Sequence, residues 1–385
     1  MSKLEKIFKL RGIFAVFALL LSPSVFAQHY IQTNLVSSIP GVGTNPTNPL
    51  DAQLINSWGL ARSTGSPWWI ADNGTGVSTI YNGVGTKQSL VVTIPPPKGQ
   101  AGPSKPTGVV FNGTSSDFLL SNGAAAMFIF VTEDGTIAGW NNKSGTTAEL
   151  IPSSSKDAVY KGCTIAVLNG KHYLYVANFH SGEIEVYDNT FHRVVLKGKS
   201  FVPDDKKNGK DENDDSGPGF NGVNNFAPFN VQAIGTNVFV AYAKQDKDKE
   251  DDVPGAGLGA VIEFDAAGNR LARLQDGNWF NAPWGIAIAP GEFGEFSHSL
   301  LIGMFGSGQI AAFNPIDGSF LGLMKGPDDS ILTIGGLWAL GFGAGNANSG
   351  PYNSLFFTAG PNDENDGLFG TLVPTTPELT EADEP

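Results

Sequence analysis

Residues Asn281 to Leu323 read NAPWGIAIAPGEFGEFSHSLLIGMFGSGQIAAFNPIDGSFLGL. Three short apolar runs, Trp284 to Ala289, Ser299 to Met304 and Gln309 to Phe313, are followed by Ser319 to Leu323 after a turn from Pro315 to Gly318. Each run is too short for a helix and is bounded by Gly, Pro, Asn or Ser, so the stretch predicts four antiparallel strands with short connections. A sheet that is apolar on both faces cannot bury both by itself. It must stack between units of its own kind, which is the physical logic of a propeller blade.

Weaker copies of this unit fill the chain on both sides. Its opening recurs as Asn56 to Ala61, Lys105 to Val110, Tyr160 to Ala166, Ala227 to Val231, Ala282 to Gly285 and Gly336 to Leu340. Second strands are expected at Trp68–Asp72, Phe118–Asn122, Tyr173–Asn178, Val238–Tyr242, Leu300–Met304 and Leu355–Ala359. Third strands follow at Val77–Tyr81, Ile137–Asn141, Ile184–Asp188, Ala260–Asp265, Ile310–Asn314 and Leu368–Leu372. The expected fold is all-β: a six-bladed β-propeller of four-stranded blades. The last unit has no fourth strand of its own, because an acidic, proline-bearing stretch follows Pro374. Tyr30 to Val36 alternates like a strand and precedes the first unit, so the N-terminal strand is expected to complete the last blade and close the ring.

The chain begins with Lys3, Lys6, Lys9 and Arg11, then the apolar run Ile13 to Leu21, then a small-residue site ending at Ala27. That is the layout of a secretory signal peptide cut after Ala27, and the apolar run falls short of the ~20 residues a membrane span needs. The expected organisation is therefore a signal peptide over 1–27, the propeller over 28–374 and a disordered acidic tail over 375–385, with the mature protein exported to the periplasm or beyond the cell. No span is expected in the mature chain. Residues 1–27 hold four basic residues and one acidic, which leaves 20 Lys and Arg against 36 Asp and Glu. Such a surface repels nucleic acid, which is excluded as a partner. Cys163 is the only cysteine, so no intramolecular disulfide can form. It lies in an apolar strand, where a thiol is inert.

Two places can carry chemistry. Asp211, Asn213 and Asp215 alternate in one acidic loop, and Asp363, Asn365 and Gly367 do so in another. Oxygen ligands at that period can wrap Ca2+, although the helix-loop-helix calcium spacing is absent. The second place is the end of the second strands, where every blade delivers a loop to one mouth of the central channel. Asp72 and Asn73, Asn122 and Asn178 are expected there, with His180 two residues on. Carboxylate and amide oxygens at that mouth suit a ligand, and Asp72 with Asn178 suits Ca2+ or another divalent cation. Asp and Asn also serve ordinary turns after strands. Trp58, Phe229, Trp284 and Trp338 occupy one column of the repeat, and packing between blades outweighs a ligand floor as their expected role. No Gly-x-Ser-x-Gly elbow, His-Glu-x-x-His pair or phosphate loop is present.

The stretches NSWGLA, YNGVGT, EDGTIAGWN, AVYKG, YVANF, FAPFNV, NAPWGIAIAP, LIGMFGSGQI, GLWALGFG and FTAGPNDENDGLFG together resemble an uncharacterised family of exported bacterial β-propeller proteins, some with a PEP-type sorting tail. This sequence lacks that tail. More distantly, the pattern is similar to NHL-repeat propellers and to gluconolactonase-like hydrolases. The latter resemblance implies a channel-mouth metal held by Asp72, Asn122 and Asn178, but no matching Glu ligand or general base is found. Two functions follow as expectations: a module binding a small molecule, glycan or protein on its axial face, or a metal-dependent lactonase or esterase.

Overall fold

The computed structural model describes residues 29–152, 157–196, 201 and 225–375. The signal-peptide reading of 1–27, the tail from 376 onward, and Asp211, Asn213 and Asp215 lie outside the described residues. Within them the chain forms 24 strands in six four-stranded antiparallel sheets, a β-propeller. An N-terminal strand, β1 (Tyr30–Ser37), precedes the first blade, which comprises β2 (Ser57–Ala61), β3 (Trp68–Asp72), β4 (Val77–Tyr81) and β5 (Val92–Thr93). The second holds β6 (Pro106–Phe111), β7 (Phe128–Thr132), β8 (Ile137–Trp140) and β9 (Glu149–Ile151). The third holds β10 (Tyr160–Leu168), β11 (Lys171–Asn178), β12 (Glu183–Tyr187) and β13 (Arg193–Val194). The fourth is β14 (Phe226–Ile234), β15 (Asn237–Lys244), β16 (Ala260–Asp265) and β17 (Arg270–Arg273). The fifth is β18 (Pro283–Ile288), β19 (Leu300–Met304), β20 (Ile310–Phe313) and β21 (Phe320–Leu323). The sixth takes β22 (Leu337–Phe342), β23 (Leu355–Ala359) and β24 (Leu368–Pro374), and β1 lies outside β24 in antiparallel register, from Tyr30 opposite Pro374 to Ser37 opposite Leu368.

Successive first strands adjoin one another, and β22 adjoins β2, so the six sheets stand in a ring. Six apolar layers fill the gaps between neighbouring blades, and a seventh cluster lies on the axis. This is why blade strands read as nearly unbroken apolar runs: side chains alternate between two neighbours, and both sides are buried. In β3, Trp69 and Ala71 pack toward the second blade, whereas Trp68 and Ile70 pack toward the sixth.

Every first strand carries a bulge at the same place, seen as the register shifts Ser57/Leu60, Pro106/Val109, Tyr160/Gly162, Pro228/Asn230, Pro283/Gly285 and Leu337/Leu340. An extra residue re-aims its side chain out of the ladder. Here it aims Trp58, Thr107, Lys161, Phe229, Trp284 and Trp338 along one column. The next residue is glycine in four blades, where first strands come closest. A Cβ on Gly59 would stand 2.4 Å from the Thr107 carbonyl oxygen, and one on Gly285 2.6 Å from that of Trp338. In the fourth blade the position is Asn230, whose Nδ2 donates to the Trp284 carbonyl at 2.7 Å.

One strand expectation is corrected. The second strand of the second blade is Phe128–Thr132, not Phe118–Asn122. Phe118 has a positive φ of 58°, which a strand cannot accommodate, and Asn122 sits in the turn bridged by Leu119 and Ala125.

Candidate functional site

The first strands run toward one face of the ring and the second strands return to the other. Connections between second and third strands therefore gather at one mouth of the channel. There the bulge column converges instead of separating the blades: Trp58 stacks on Trp338 with ring centroids 3.6 Å apart, and Trp284 and Phe229 meet Trp58 at 6.2 and 6.3 Å. Phe305 stacks on Trp338 at 4.0 Å. These rings plug the axis, so the expectation that the aromatic column packs between blades is replaced by packing across the ring centre. Asn56 Oδ1 accepts from Nε1 of both Trp58 and Trp338, at 2.9 and 3.0 Å, satisfying two buried indole donors.

Lys161 is the one cation in this column. Its side chain is 1 % exposed and its ammonium lies 5.1 Å from the Trp58 ring and 5.8 Å from that of Phe179. It pairs with Glu133 and, at 3.1 Å, with Asp251. Burial alone would discharge it, but these two carboxylates hold its pKa above the ordinary lysine value. Burial likewise works against Glu133, yet Lys161 and the Asn73 amide, which donates to Oε2 at 2.9 Å, hold that carboxyl below its usual range. Glu364 caps the cluster. Asn362, Asp363 and Glu364 have consecutive positive φ values of 56°, 52° and 65°, a left-handed turn that brings Glu364 inward to accept from Asn56 Nδ2. Burial raises the pKa of Glu364 despite that bond.

Of the residues expected at this mouth, Asn73 joins the layer through Glu133 and Asn56, and half-buried His180 lies in the turn beside Phe179, its carbonyl 3.5 Å from Gln245 Nε2. Asp72 and Asn178 end their strands at this mouth, but their side chains turn outward into their own blades. Asp72 Oδ2 accepts from the Thr79 amide and hydroxyl at 2.9 and 2.7 Å. Asn178 Nδ2 donates to Glu185 Oε1 at 2.8 Å, while Glu185 Oε2 accepts from the hydroxyls of Tyr160 and Tyr187. The same seven-residue, cross-strand geometry serves both, because the bulge residue takes the axial direction and leaves the strand-end side chain to bond within its own blade. Asn122 lies at the opposite face, exchanging hydrogen bonds of 3.0 and 3.1 Å with Asn141, and the position expected for it belongs to Thr132 and Glu133. In the loop of Asp363 and Asn365, the Asn365 amide donates to the carbonyls of Asn362 and Asp363. Among the described residues no group of three His, Cys, Asp or Glu side chains is placed to hold a metal ion.

Asp72 is fully buried, its Oδ1 has no protein partner, and burial drives its pKa well above the ordinary carboxylate value, only partly offset by Thr79. A raised folded-state pKa means that ionisation opposes folding, so this group favours the fold at acid pH and loses that contribution as pH rises toward the raised value. Asp72→Asn keeps an acceptor for Thr79 and removes the charge. It is expected to raise Tm at pH 7.5 by about 2–4 °C, the response of a large domain to ~1 kcal/mol, with the gain vanishing near pH 4. Melting curves at the two pH values check this.

The other face of the channel is open. A funnel of about 550 Å³ is walled by the outer ends of all six first strands, among them Leu60, Val109, Ile286 and Leu340, with Gln232 and Thr164 as polar side chains. A narrow extension reaches Cys163, Asn230 and Trp284 beneath the aromatic plug. Burial pushes the Cys163 thiol up, so it stands there protonated. Each first strand is the inner edge of its sheet, so alternate backbone N–H and C=O groups face the funnel instead of a strand partner. Arg62 at the rim is engaged with the Phe342 carbonyl, 2.9 Å from its Nε, and stacks on Trp68. Sequence reading missed the funnel, and it missed Lys161, Glu133, Asp251 and Glu364. The signal for Lys161 was a charged residue in an otherwise aromatic or small column.

No protein-family model matches the chain. Two uncharacterized proteins of Acanthamoeba polyphaga mimivirus are similar to it, each 29% identical: one over 86% of this chain and 77% of its own length, the other over 84% and 81%. Among solved structures, a streptogramin B lyase is similar with a TM-score of 0.48 and 13% identity, covering 90% of this chain and 98% of that one. The WD40 propeller domain of Doa1 is similar with a TM-score of 0.44 and 10% identity, covering 88% and 96%. The chain is a six-bladed β-propeller. At these identities, neither solved structure bears on its activity.

Proposed function

We propose that this propeller is a binding module that takes an uncharged, amphipathic small molecule in its axial funnel. The observation that supports the reading is the funnel itself: about 550 Å³, within the ~300–1,000 Å³ of small-molecule sites, apolar side chains on its wall and unpaired strand edges between them. Apolar parts of a ligand gain by leaving water there, and its hydroxyl or amide groups meet backbone donors and acceptors on strand edges that no further strand pairs. Among the described residues the wall offers no free charge, since Arg62 is already engaged. Around the same face, Leu119, Val167, Ile288 and Tyr352 are 52 %, 53 %, 41 % and 63 % exposed, an apolar margin suited to the same kind of ligand. Acidic groups stand at the other mouth: Glu133 and Asp134, the acidic residues between Asp246 and Asp252, and those between Asp363 and Asp366. The lactonase alternative needs Asp72 and Asn178 at the axis, and both are committed inside blades. Export after cleavage at Ala27 belongs to the same proposal, supported by the basic and apolar segments of residues 1–27.

Octyl glucoside, an uncharged amphiphile, is a suitable probe below its micellar concentration. Calorimetric titration is expected to show one saturable site. Gln232→Arg, which puts a charged and bulkier side chain into the funnel wall, should weaken binding at least tenfold, about 1.4 kcal/mol, with Tm little changed. Absence of saturable binding, or equal affinity in the variant, would contradict the proposal.

A further inference from the structure

The insertion between β15 and β16, Lys244 to Leu258, is the longest of the six connections between second and third strands, which gather at the mouth opposite the funnel, and it does not hang free. It folds on itself through Asp246 N–H to the Asp251 carbonyl at 2.8 Å and Val253 N–H to the Lys244 carbonyl at 2.8 Å. Its ends are tied down: Gln245 Nε2 donates to the Phe179 carbonyl, and Gly255 N–H donates to Asn281 Oδ1 at 2.6 Å. Between these anchors the strap lays Asp251 on the Lys161 ammonium. It also tucks Asp252 inward, where the carboxyl oxygen Oδ2 is buried without a protein partner. Lys161 is thus covered by a segment whose own contact surface is acidic.

We propose that the strap Lys244–Leu258 is a pH-sensitive cover over the axial aromatic cluster, latched by Lys161 and loosened as Asp252 ionises. The groups that face Asp252 are Lys161 on β10, Glu364 from the turn after β23 and Asp251 on the strap itself, with Glu133 facing the same ammonium from the second blade. One cation therefore serves four carboxyl groups. With Asp252 neutral, Lys161 already faces two carboxylates, Asp251 and Glu133. With Asp252 ionised, a further negative charge, one of its oxygens buried without a partner, stands beside Glu364 and Asp251, and opening the strap relieves it. Burial, tempered by Lys161, puts the Asp252 carboxyl at about 7 in the closed form. An opened strap returns it to the ordinary carboxylate value, so closing takes up a proton between these two values. Closure is strongest in acid, weakens as pH climbs to about 7 and is level above that. Opening uncovers Lys161 and the rings of Trp58 and Phe179 and leaves the funnel, at the other face, untouched.

Hydrogen exchange of peptides spanning Lys244–Leu258, corrected for the intrinsic pH dependence of exchange, tests this between pH 5 and 8. In the wild type, protection is expected to fall by up to about tenfold per pH unit from pH 5 to 7 and then level off. In Asp252→Asn, protection should stay constant over the same range, and Asp252→Ser is the second variant should the first misfold. Equal pH profiles in wild type and variant, protection in the wild type that does not change with pH, or the same slope in β15 and β19 as in the strap would each overturn the proposal.

Discussion

Lys161→Met is expected to destabilise the protein by about 3–5 kcal/mol, the effect of removing one partner from a buried ion pair. The variant keeps the length of the side chain and its contact with the rings of Trp58 and Phe179. Among the described residues it removes the one cation that faces Glu133, Asp251, Asp252 and Glu364 together, and the largely buried Glu133 and Asp252 carboxyls must then take up protons or draw in water. The loss should shrink toward acid pH, because each carboxyl is neutralised by protonation in turn. A further change of Glu133 to Leu should recover part of the loss, since an apolar pair costs less than a lone buried carboxylate. Chemical denaturation at pH 5 and 7.5 measures both effects. A single variant as stable as the wild type at pH 7.5 would show that Lys161 is not the keystone of this layer.

Removal of residues 28–37 is expected to have an effect at least as large. β1 supplies the outer strand of the sixth blade, and it buries Tyr30 and Val36 completely. Tyr30 also reaches the fifth blade. Its hydroxyl donates to the Phe293 carbonyl at 3.0 Å and accepts from the Phe296 amide at 3.1 Å, while its ring stacks on that of Phe296. Burial of Tyr30, Leu35 and Val36 contributes on the order of 1.5–3 kcal/mol each. Without β1, β24 becomes an unpaired edge with Phe369 and Leu372 beside it, a template for aggregation. The truncated protein should melt at least 10 °C lower or fail to stay soluble, and Tyr30→Ala should show a smaller drop of about 3–5 kcal/mol. A melting curve unchanged by truncation would mean that the three remaining strands of the sixth blade suffice.

Much of this fold can be read from residue patterns, for a physical reason. Blades are local: each hairpin closes over few residues, and the apolar runs at Trp68, Tyr173, Leu300 and Leu355 sit where β3, β11, β19 and β23 form. The second blade shows the limit. Phe118–Asn122 and Phe128–Thr132 look equally strand-like, and the choice is made by pairing with β6, in which Phe111 faces Phe128. The short outer strands β5 and β13, two residues each, have too little pattern to be found. The site was less legible because it is assembled across the ring. Lys161, Glu133, Asp251 and Glu364 come from four different blades, and no local spacing links them. Asp72 and Asn178 were drawn to the axis by their position at strand ends. The bulge in each first strand decides otherwise, giving the axis to the residue beside it. The funnel has almost no side-chain signature, since its polar groups are largely backbone.

The central claim is that the open funnel, and not the mouth closed by the aromatic plug, receives the ligand. Methyl-selective NMR of the protein titrated with octyl glucoside tests it most directly. The account predicts saturable shifts at Leu60, Val109, Ile286 and Leu340, with nothing comparable at Val253 and Leu258 in the strap. Shifts confined to the strap, or no saturable shift at any of the four funnel methyl groups, would contradict it.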